Sequence, residues 1–420
     1  MRTSHRFMLL MLLLLTASLL SLNCARELTE EQLAQKALDI HDKVLTVDTH
    51  ADTPYNIGVG EWKIGERHEP NKRGSGDIDL PRMAEGGLDA EFFAVYVGQG
   101  SRTTEGYVKA KNTAQRLFDA VHGMCDTYPD MVELATTPDD AYRIEKLGKR
   151  AAFIGIENGY AMGLDLAMLK EYHALGARYI TLCHNGNNDI CDSSTDRNGL
   201  EHHGLSAFGE KVVAEMNRLG IMVDMSHAAD ETFYDVIALS KAPIIASHSC
   251  ARALCDHNRN MTDDMIKTLA EHDGVIQICF VSDFVKEAQP NPERDAEIAA
   301  LREKYGEWNK IKDEKVREQM REDYYAIRQK YAGDRASVED LVNHIDHVVE
   351  LVGIDHVGIG TDFDGGGGVV GCSEVSQLPS VTIELVKRGY SEEQIRKIWG
   401  GNIMRVLTKV LEVSKELQNS

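Results

Sequence analysis

The stretch IMVDMSHAADETFYDVIALSKAPIIASH, residues 221–248, contains one complete strand–helix–strand unit. Two short apolar runs, 221–226 and 243–247, predict strands, and the residues between them have helical periodicity. Each predicted strand is followed directly by a histidine. Because strands joined through a helix run parallel, we expect His227 and His248 to lie at the same edge of a sheet.

The same alternation of strand and helix repeats along the chain and gives eight predicted strands. They cover residues 44–49, 90–97, 151–156, 179–183, 221–226, 243–247, 275–280 and 356–361. Helical stretches fall between most pairs, for example at 106–127, 207–218, 229–239 and 262–271. Most of the strands are apolar without alternation, as expected for parallel strands covered on both faces. The pattern predicts an α/β fold, a (β/α)₈ TIM-type barrel formed by a single domain.

Length and charge narrow the class of protein. The chain has 420 residues, 43% of them hydrophobic and 27% charged, so it can bury a large core. Its 46 Lys and Arg against 67 Asp and Glu give a formal net charge of −21. A surface this acidic argues against nucleic-acid binding and is compatible with binding cations, without requiring it.

The first 24 residues have the features of an export signal. Arg2 and Arg6 flank the start of an apolar run over 7–15, and the segment closes at Cys24. We therefore expect residues 1–24 to be a signal and 25–420 to be one exported domain, periplasmic or on the outer surface. Two alternatives stay open, simple secretion and a lipid anchor on Cys24, since Asn23 before that cysteine is a poor lipobox match.

The remaining cysteines do not form a motif. They stand singly at Cys125, Cys183, Cys191, Cys250, Cys255, Cys279 and Cys372, without a C-x-x-C pair. An exported chain permits disulfides among them. We expect Cys183 and Cys279, which lie in predicted strands, to be small buried hydrophobic residues.

Polar residues capable of metal binding or proton transfer follow six of the eight predicted strands. They are His50 and Asp52 after strand one, Glu157 after strand three, His184 after strand four, His227 after strand five, His248 after strand six and Asp362 after strand eight. In a parallel barrel these ends converge on the face that carries active sites. A single histidine after a strand is more often structural, but six such strand ends need a common explanation. Asp364 is expected to be a turn residue.

The types and spacing of these residues predict a binuclear metal site. His50 and Asp52 lie two apart on an extended segment and can reach one ion together, while His227 and His248 can hold a second. Glu157 is long enough to bridge the two. Ions about 3.5–4 Å apart can hold a hydroxide as nucleophile at neutral pH, with Asp362 left to handle protons.

At these positions the sequence resembles the membrane (renal) dipeptidase family, zinc peptidases within the amidohydrolase-type barrels. The matching motifs in chain order are VDTHADTP (47–54), DIDLPR (77–82), EGG (85–87), GIENG (155–159), YITLCHN (179–185), VDMSH (223–227), IASHS (245–249), RN (259–260), GIGTDFDG (358–365) and GGNIMRV (400–406). Each motif is modest, but their order and spacing are highly specific and cover nearly the whole mature chain. The HxD at His50, in place of the HxH of other amidohydrolases, also marks this family.

The resemblance implies roles for individual residues and agrees with the metal assignment made from the residues. Two zinc ions would be held by the five predicted ligands. His184 would stabilise the oxyanion of the scissile carbonyl, and Arg259 would bind the terminal carboxylate of a dipeptide. Asp362 would move a proton from the bridging water to the departing amine. Without the resemblance, Arg259 would be taken for a surface residue. For Tyr96, a substrate contact and simple packing beneath the rim are equal alternatives.

Two features of the chain depart from the family pattern or lie outside it. After strand seven the chain has Cys279-Phe280-Val281, where mammalian members carry Asn-Phe-Tyr, so one wall of the substrate pocket is expected to differ. Residues 287–335 are long and charged, with helices predicted at 293–305 and 316–331. We expect a solvated helical insertion between strands seven and eight, and the alternative is a lid or a homodimer contact.

The resulting expectation is an exported metallodipeptidase that hydrolyses dipeptides, including those with a C-terminal D-residue. A second enzyme class stays open, because a bridged hydroxide also attacks the substrates of lactonases, deacetylases and phosphoesterases. The non-enzymatic alternative is a metal-binding surface protein on a barrel scaffold.

Overall fold

Eight parallel strands form the wall of a nearly closed barrel, as predicted. The computed structural model describes residues 28–57, 62–69, 76–306, 311 and 313–419, so the predicted signal and Cys24 lie outside the described residues. The strands are β1 (Val47–Ala51), β2 (Ala90–Tyr96), β3 (Val132–Leu134), β4 (Arg150–Glu157), β5 (Ala177–Thr181), β6 (Met222–Asp224), β7 (Ile245–Ser249), β8 (Val275–Ile278) and β9 (Val357–Ile359). The barrel order is β1-β2-β4-β5-β6-β7-β8-β9.

The barrel closes just beyond the ends of its first and last strands. The Asp362 backbone N–H donates to the His50 carbonyl, and the Asp52 N–H donates to the Phe363 carbonyl, each at 2.9 Å. This closure places two segments that carry predicted site residues side by side. The short strand β3 was not predicted; it pairs only with the start of β4, outside the barrel path.

Helices cover the strands in the alternation that the sequence predicts. They are α1 (Glu30–His41), α2 (Pro54–Ile57), α3 (Leu80–Glu85), α4 (Thr104–Thr127), α5 (Pro138–Lys146), α6 (Ala167–Ala174), α7 (Ala207–Leu219), α8 (Asp230–Leu239), α9 (Asp263–Glu271), α10 (Ser282–Val285), α11 (Pro292–Tyr305), α12 (Glu314–Lys330), α13 (Val338–Val352), α14 (Pro379–Lys387), α15 (Glu392–Arg396) and α16 (Asn402–Asn419). Capping residues set several starts: the Ser206 hydroxyl accepts from the first turn of α7, and Ser337 forms a capping box at α13. Among the described helices, none is long and apolar enough to span a bilayer.

Two apolar layers hold these elements together. The larger lies between strands and helices, and the second joins barrel residues to the last helix, α16. In the second layer Phe92 stacks on Phe153 at 4.6 Å and on Tyr179 at 5.6 Å between ring centroids. Gly155 makes room for this stack, because a Cβ there would lie 2.0 Å from the Tyr179 ring. Tyr179 in turn reaches the candidate site.

The charged insertion forms the two helices predicted for it, α11 and α12, between β8 and β9. They share a small apolar cluster of Leu301, Ile311 and Met320. Ion pairs such as Lys304–Asp323 lie on its surface. The helical insertion is therefore confirmed, while the alternative that it acts as a lid or a homodimer contact stays untested.

The cysteines of the described chain are all free thiols, and Cys183 and Cys279 are fully buried as expected. Glu91 in β2 is a buried carboxyl group. Burial, followed by the charge of the neighbouring Asp48, raises the pKa of Glu91 well above its usual value.

Candidate metal centre

Glu157, the last residue of β4, lies at the centre of the predicted ligands. Its Oε1 is 2.9 Å from His227 Nε2 and 3.5 Å from His248 Nε2, while its Oε2 is 3.7 Å from His50 Nε2. One carboxylate oxygen therefore faces His227 and His248, and the other faces His50. This is the arrangement that a carboxylate bridging two ions needs.

Asp362 belongs to the same cluster. A nitrogen of His50 and carboxylate oxygens of Asp52 and Asp362 all lie within 4.8 Å of one another, and His50 Nε2 is 3.9 Å from Asp362 Oδ1. The structure thus brings the predicted proton-handling group beside the first pair of ligands.

Local irregularities of the strands aim these side chains. His50 and His248 lie within β1 and β7, not after them as predicted, and the strand register shifts around each of them. Such bulges redirect a side chain without ending the strand. His227 and Asp362 have positive φ angles of 71° and 60°, conformations that cost energy for non-glycine residues and concentrate at functional sites.

The second ring nitrogen of each predicted histidine ligand has a hydrogen-bond partner. The pairs are His50 Nδ1 with Tyr179 Oη (2.8 Å), His227 Nδ1 with Asn185 Oδ1 (3.1 Å) and His248 Nδ1 with Ser247 Oγ (2.9 Å). These contacts leave the Nε2 atoms facing the cluster, as in metal sites where an outer partner orients the ring. The partners were not predicted, although each lies within a quoted motif and two directly adjoin a candidate histidine.

The cluster fits a divalent cation. His50 Nε2 and Asp52 Oδ1 are both buried without a hydrogen-bond partner. Burial lowers the pKa of His50 to about 3 and raises that of Asp52 to about 7, so neutral imidazoles face carboxylates that are costly to ionise alone. Burial likewise raises the pKa of Glu157 and Asp362. Imidazole nitrogens and carboxylate oxygens are ligands that zinc accepts.

His184 lies at the exposed side of the cluster. Its Nε2 is 3.7 Å from Glu157 Oε1, and its side chain is 15% exposed, so a substrate can reach it. Burial lowers the pKa of His184 to about 3. The Tyr96 ring lies 4.8 Å from the His184 ring, and burial followed by the charge of Glu157 raises the pKa of Tyr96. Tyr96 is therefore a neutral phenol at the rim.

Arg259 is buried, with 4% of its surface exposed, and is not the surface residue expected without the resemblance. Its Nη2 donates to the His248 carbonyl at 3.2 Å, and its guanidinium lies over the Phe284 ring, 5.3 Å from the centroid. Its Nε and Nη1 are buried without partners. A buried cation with free N–H groups beside a predicted metal ligand is suited to binding an anion.

The glycine-rich loop after β9 is packed against the carboxylates. A Cβ on Gly365 would lie 2.1 Å from Asp362 Oδ1 and 2.2 Å from Asp52 Oδ2, so only glycine fits there. Asp364 accepts hydrogen bonds from the Thr53 hydroxyl and the Asp77 backbone, consistent with the turn function expected of it. The contribution of Gly365 was not predicted.

Comparison with known proteins identifies the family of this chain. The family model for membrane dipeptidase, peptidase family M19, matches residues 34–420. Dipeptidase tcpJ from Claviceps purpurea is 33% identical over 373 residues, which cover 87% of this chain and 77% of that protein. The uncharacterized dipeptidase C965.12 of Schizosaccharomyces pombe is 31% identical over 411 residues, which cover 93% of this chain and 87% of that protein.

Solved structures extend the comparison. The probable dipeptidase PvdM from Pseudomonas aeruginosa superposes with a TM-score of 0.78 at 30% identity, covering 91% of this chain and 99% of that one. A metallo peptidase from Rhodobacter sphaeroides, liganded with a phosphinate mimic of L-Ala-D-Ala, gives a TM-score of 0.70 at 25% identity, with 87% and 99% covered. With a matching family model over most of its length, this chain belongs to the membrane dipeptidase family, peptidase family M19, and is a metallopeptidase of the dipeptidase type.

Proposed function

We propose that this protein hydrolyses free dipeptides with two zinc ions, one held by His50 and Asp52 and the other by His227 and His248. The observation that carries the proposal is the position of Glu157, whose two oxygens face the two sets of ligands. The ions would supply a nucleophile from water at neutral pH and polarise the scissile carbonyl.

Three further side chains would complete the reaction. His184, neutral and accessible to substrate, would stabilise the negative charge that develops on the carbonyl oxygen. Asp362 would take the proton of the attacking water and give it to the departing amine.

Arg259 would select substrates with a free C-terminus. Its contact with the His248 carbonyl places the guanidinium next to the ligands, so a carboxylate bound there lies close to the reacting bond. The short distance between the bound carboxylate and the reacting bond favours dipeptides over longer peptides. The relative liganded with a mimic of L-Ala-D-Ala supports acceptance of a C-terminal D-residue.

We also propose that the enzyme is exported, either with residues 1–24 removed as a signal or with a lipid anchor on Cys24. Intact-mass spectrometry of the mature protein distinguishes a free amino terminus after position 24 from an acylated Cys24.

Metal analysis combined with a substrate panel tests the catalytic proposal. The panel contains L-Xaa-L-Xaa and L-Xaa-D-Xaa dipeptides, a lactone, an N-acetyl amino acid and a phosphodiester. We expect two zinc ions per chain and turnover of dipeptides; turnover confined to another class would replace the proposed substrate.

A substitution at the centre of the site tests the assignment of the ligands. Glu157→Gln removes the shared anionic ligand and should abolish both zinc occupancy and dipeptide turnover. Glu171→Gln, on an exposed position of α6, is the matched control and should leave both unchanged. Full zinc content and activity in Glu157→Gln would overturn the mechanism.

A further inference from the structure

Asp224, the last residue of β6, is a fully buried carboxylate that four donors surround. Its Oδ1 accepts from the backbone N–H groups of Ser226 (3.1 Å) and Ser247 (2.7 Å). Its Oδ2 accepts from the hydroxyls of Thr181 (2.5 Å) and Ser247 (2.6 Å). Within the described chain no cationic side chain pairs with it. Four converging donors are the hydrogen-bond partners that an ionised carboxylate needs, because this group can only accept hydrogen bonds.

The Ser247 hydroxyl connects this carboxylate to a predicted ligand. Its single hydrogen is directed to Asp224, because a carboxylate cannot donate in return. The Ser226 hydroxyl is farther from Ser247 Oγ, at 3.4 Å, and instead accepts from the His248 backbone N–H. Ser247 Oγ therefore accepts at its 2.9 Å contact with His248 Nδ1. This direction requires the proton of His248 to be on Nδ1.

We propose that Asp224, acting through Ser247, fixes the proton of His248 on Nδ1 and so presents the Nε2 lone pair to the metal centre. Asp224 and Ser247 are then positioning residues for this ligand. The Nε2 atom lies 3.5 Å from Glu157 Oε1 and 3.1 Å from His227 Nε2, facing the proposed ions. The inference rests on the proposed two-metal function and assigns a cause to the ligand state of one histidine.

The substitution Asp224→Asn reverses this hydrogen-bond chain without changing its shape. The two backbone N–H groups hold the amide oxygen at the place of Oδ1, so the amide NH₂ faces Thr181 and Ser247. Ser247 then accepts from the amide, which frees its own hydrogen to donate to His248 Nδ1. Neutral His248 carries its proton on Nε2 in that arrangement, and the lone pair needed by the metal is lost.

Zinc affinity and histidine tautomers are the measurements that test this inference. We expect Asp224→Asn to weaken one of the two zinc sites on the order of 100-fold, and Ser247→Ala about 10-fold, in chelator competition. Long-range ¹H–¹⁵N spectra of the metal-free protein should show His248 protonated on Nδ1 in the wild type and on Nε2 in Asp224→Asn.

Thr181→Val is the matched control. It removes the other hydroxyl donor to the same Asp224 oxygen, but the Thr181 hydroxyl bonds to Asp224 and not to His248. We expect lower thermal stability with unchanged zinc affinity. If Asp224→Asn does not fold, Ser247→Ala decides, because it leaves the backbone contacts of Asp224 in place.

Wild-type zinc affinity and an Nδ1-protonated His248 in folded Asp224→Asn would overturn the inference, as would unchanged affinity in Ser247→Ala. Failure of the proposed function looks different. It would appear as a wild-type protein that binds no zinc or hydrolyses no dipeptide, whereas the tautomer of the metal-free protein is measured without either property.

Discussion

Replacing Arg259 with methionine removes the proposed receptor for the substrate carboxylate. The guanidinium is buried and uses Nη2 on the His248 carbonyl, which leaves Nε and Nη1 without partners. Methionine keeps an apolar side chain of similar length over Phe284. No carboxylate of the described chain forms an ion pair with Arg259. Replacing the arginine should therefore not leave a buried anion without its partner.

The magnitude follows from the two free donor groups. Each hydrogen bond to a charged group contributes about 1.5–3 kcal/mol, so losing two costs about 3–6 kcal/mol. At about 1.4 kcal/mol per tenfold, kcat/KM for a dipeptide should fall by roughly 10²–10⁴. A dipeptide amide, which lacks the anionic terminus, should lose far less.

The assay compares each dipeptide with its C-terminal amide in the wild type and in Arg259→Met, at equal zinc content. The wild type should have a much higher kcat/KM for the free acid than for the amide. In the variant the ratio of these two kcat/KM values should be close to one. Arg252→Met is the control, since Arg252 forms a paired contact with Asp230. An unchanged ratio in Arg259→Met would refute the reasoning, and loss of zinc would indicate a structural function instead.

Three further substitutions test other parts of the structure. Gly365→Ala should remove zinc and activity, because the added Cβ would overlap two site carboxylates. Gly123→Ala is the control: open space surrounds Gly123, so its zinc content should be unchanged. Retained zinc in Gly365→Ala would contradict this prediction. The raised pKa of Glu91 gives stability that is present below about pH 4.5 and lost as the pH rises through the folded value. The stability of Glu91→Gln relative to the wild type in urea unfolding should therefore increase as the pH rises above 5, by about 1.4 kcal/mol per unit while the pH is below that folded value. A difference independent of pH would exclude that explanation. Phe284→Leu should raise KM for dipeptides about 2- to 30-fold with kcat nearly unchanged, because it removes the aromatic face beneath Arg259. An equal rise in KM for dipeptide amides would argue against a function of Phe284 through Arg259.

The barrel could be predicted because its strands are buried on both faces and therefore stand out as apolar runs. Strand β3, Val132–Leu134, could not be predicted. It has only three residues, and so short a run carries no recognisable hydrophobic pattern. The ends of β1 and β7 were also misplaced. A bulge depends on how a strand pairs with its neighbours, and this pairing is invisible in a single sequence.

The cluster of predicted ligands was accessible from the sequence because parallel strand ends converge. The burial of Arg259 was not, since it depends on a contact with Phe284, which follows the next strand. The hydrogen bond between His50 and Tyr179 was also beyond sequence reasoning: it joins strands that are not neighbours in the barrel.

The charges of the site connect the arginine to the metal ligands. After burial, the charge of Arg259 is the next cause that lowers the pKa of His50, His184 and His227, so it helps keep these rings neutral and able to donate lone pairs. Divalent ions bound at His50 and His227 would add positive charge beside the guanidinium, and an anionic ligand would offset that repulsion. A substrate carboxylate at Arg259 supplies this anion. Metal loading should therefore increase affinity for the free acid more than for the amide, and equal increases would show that the two parts of the site act independently.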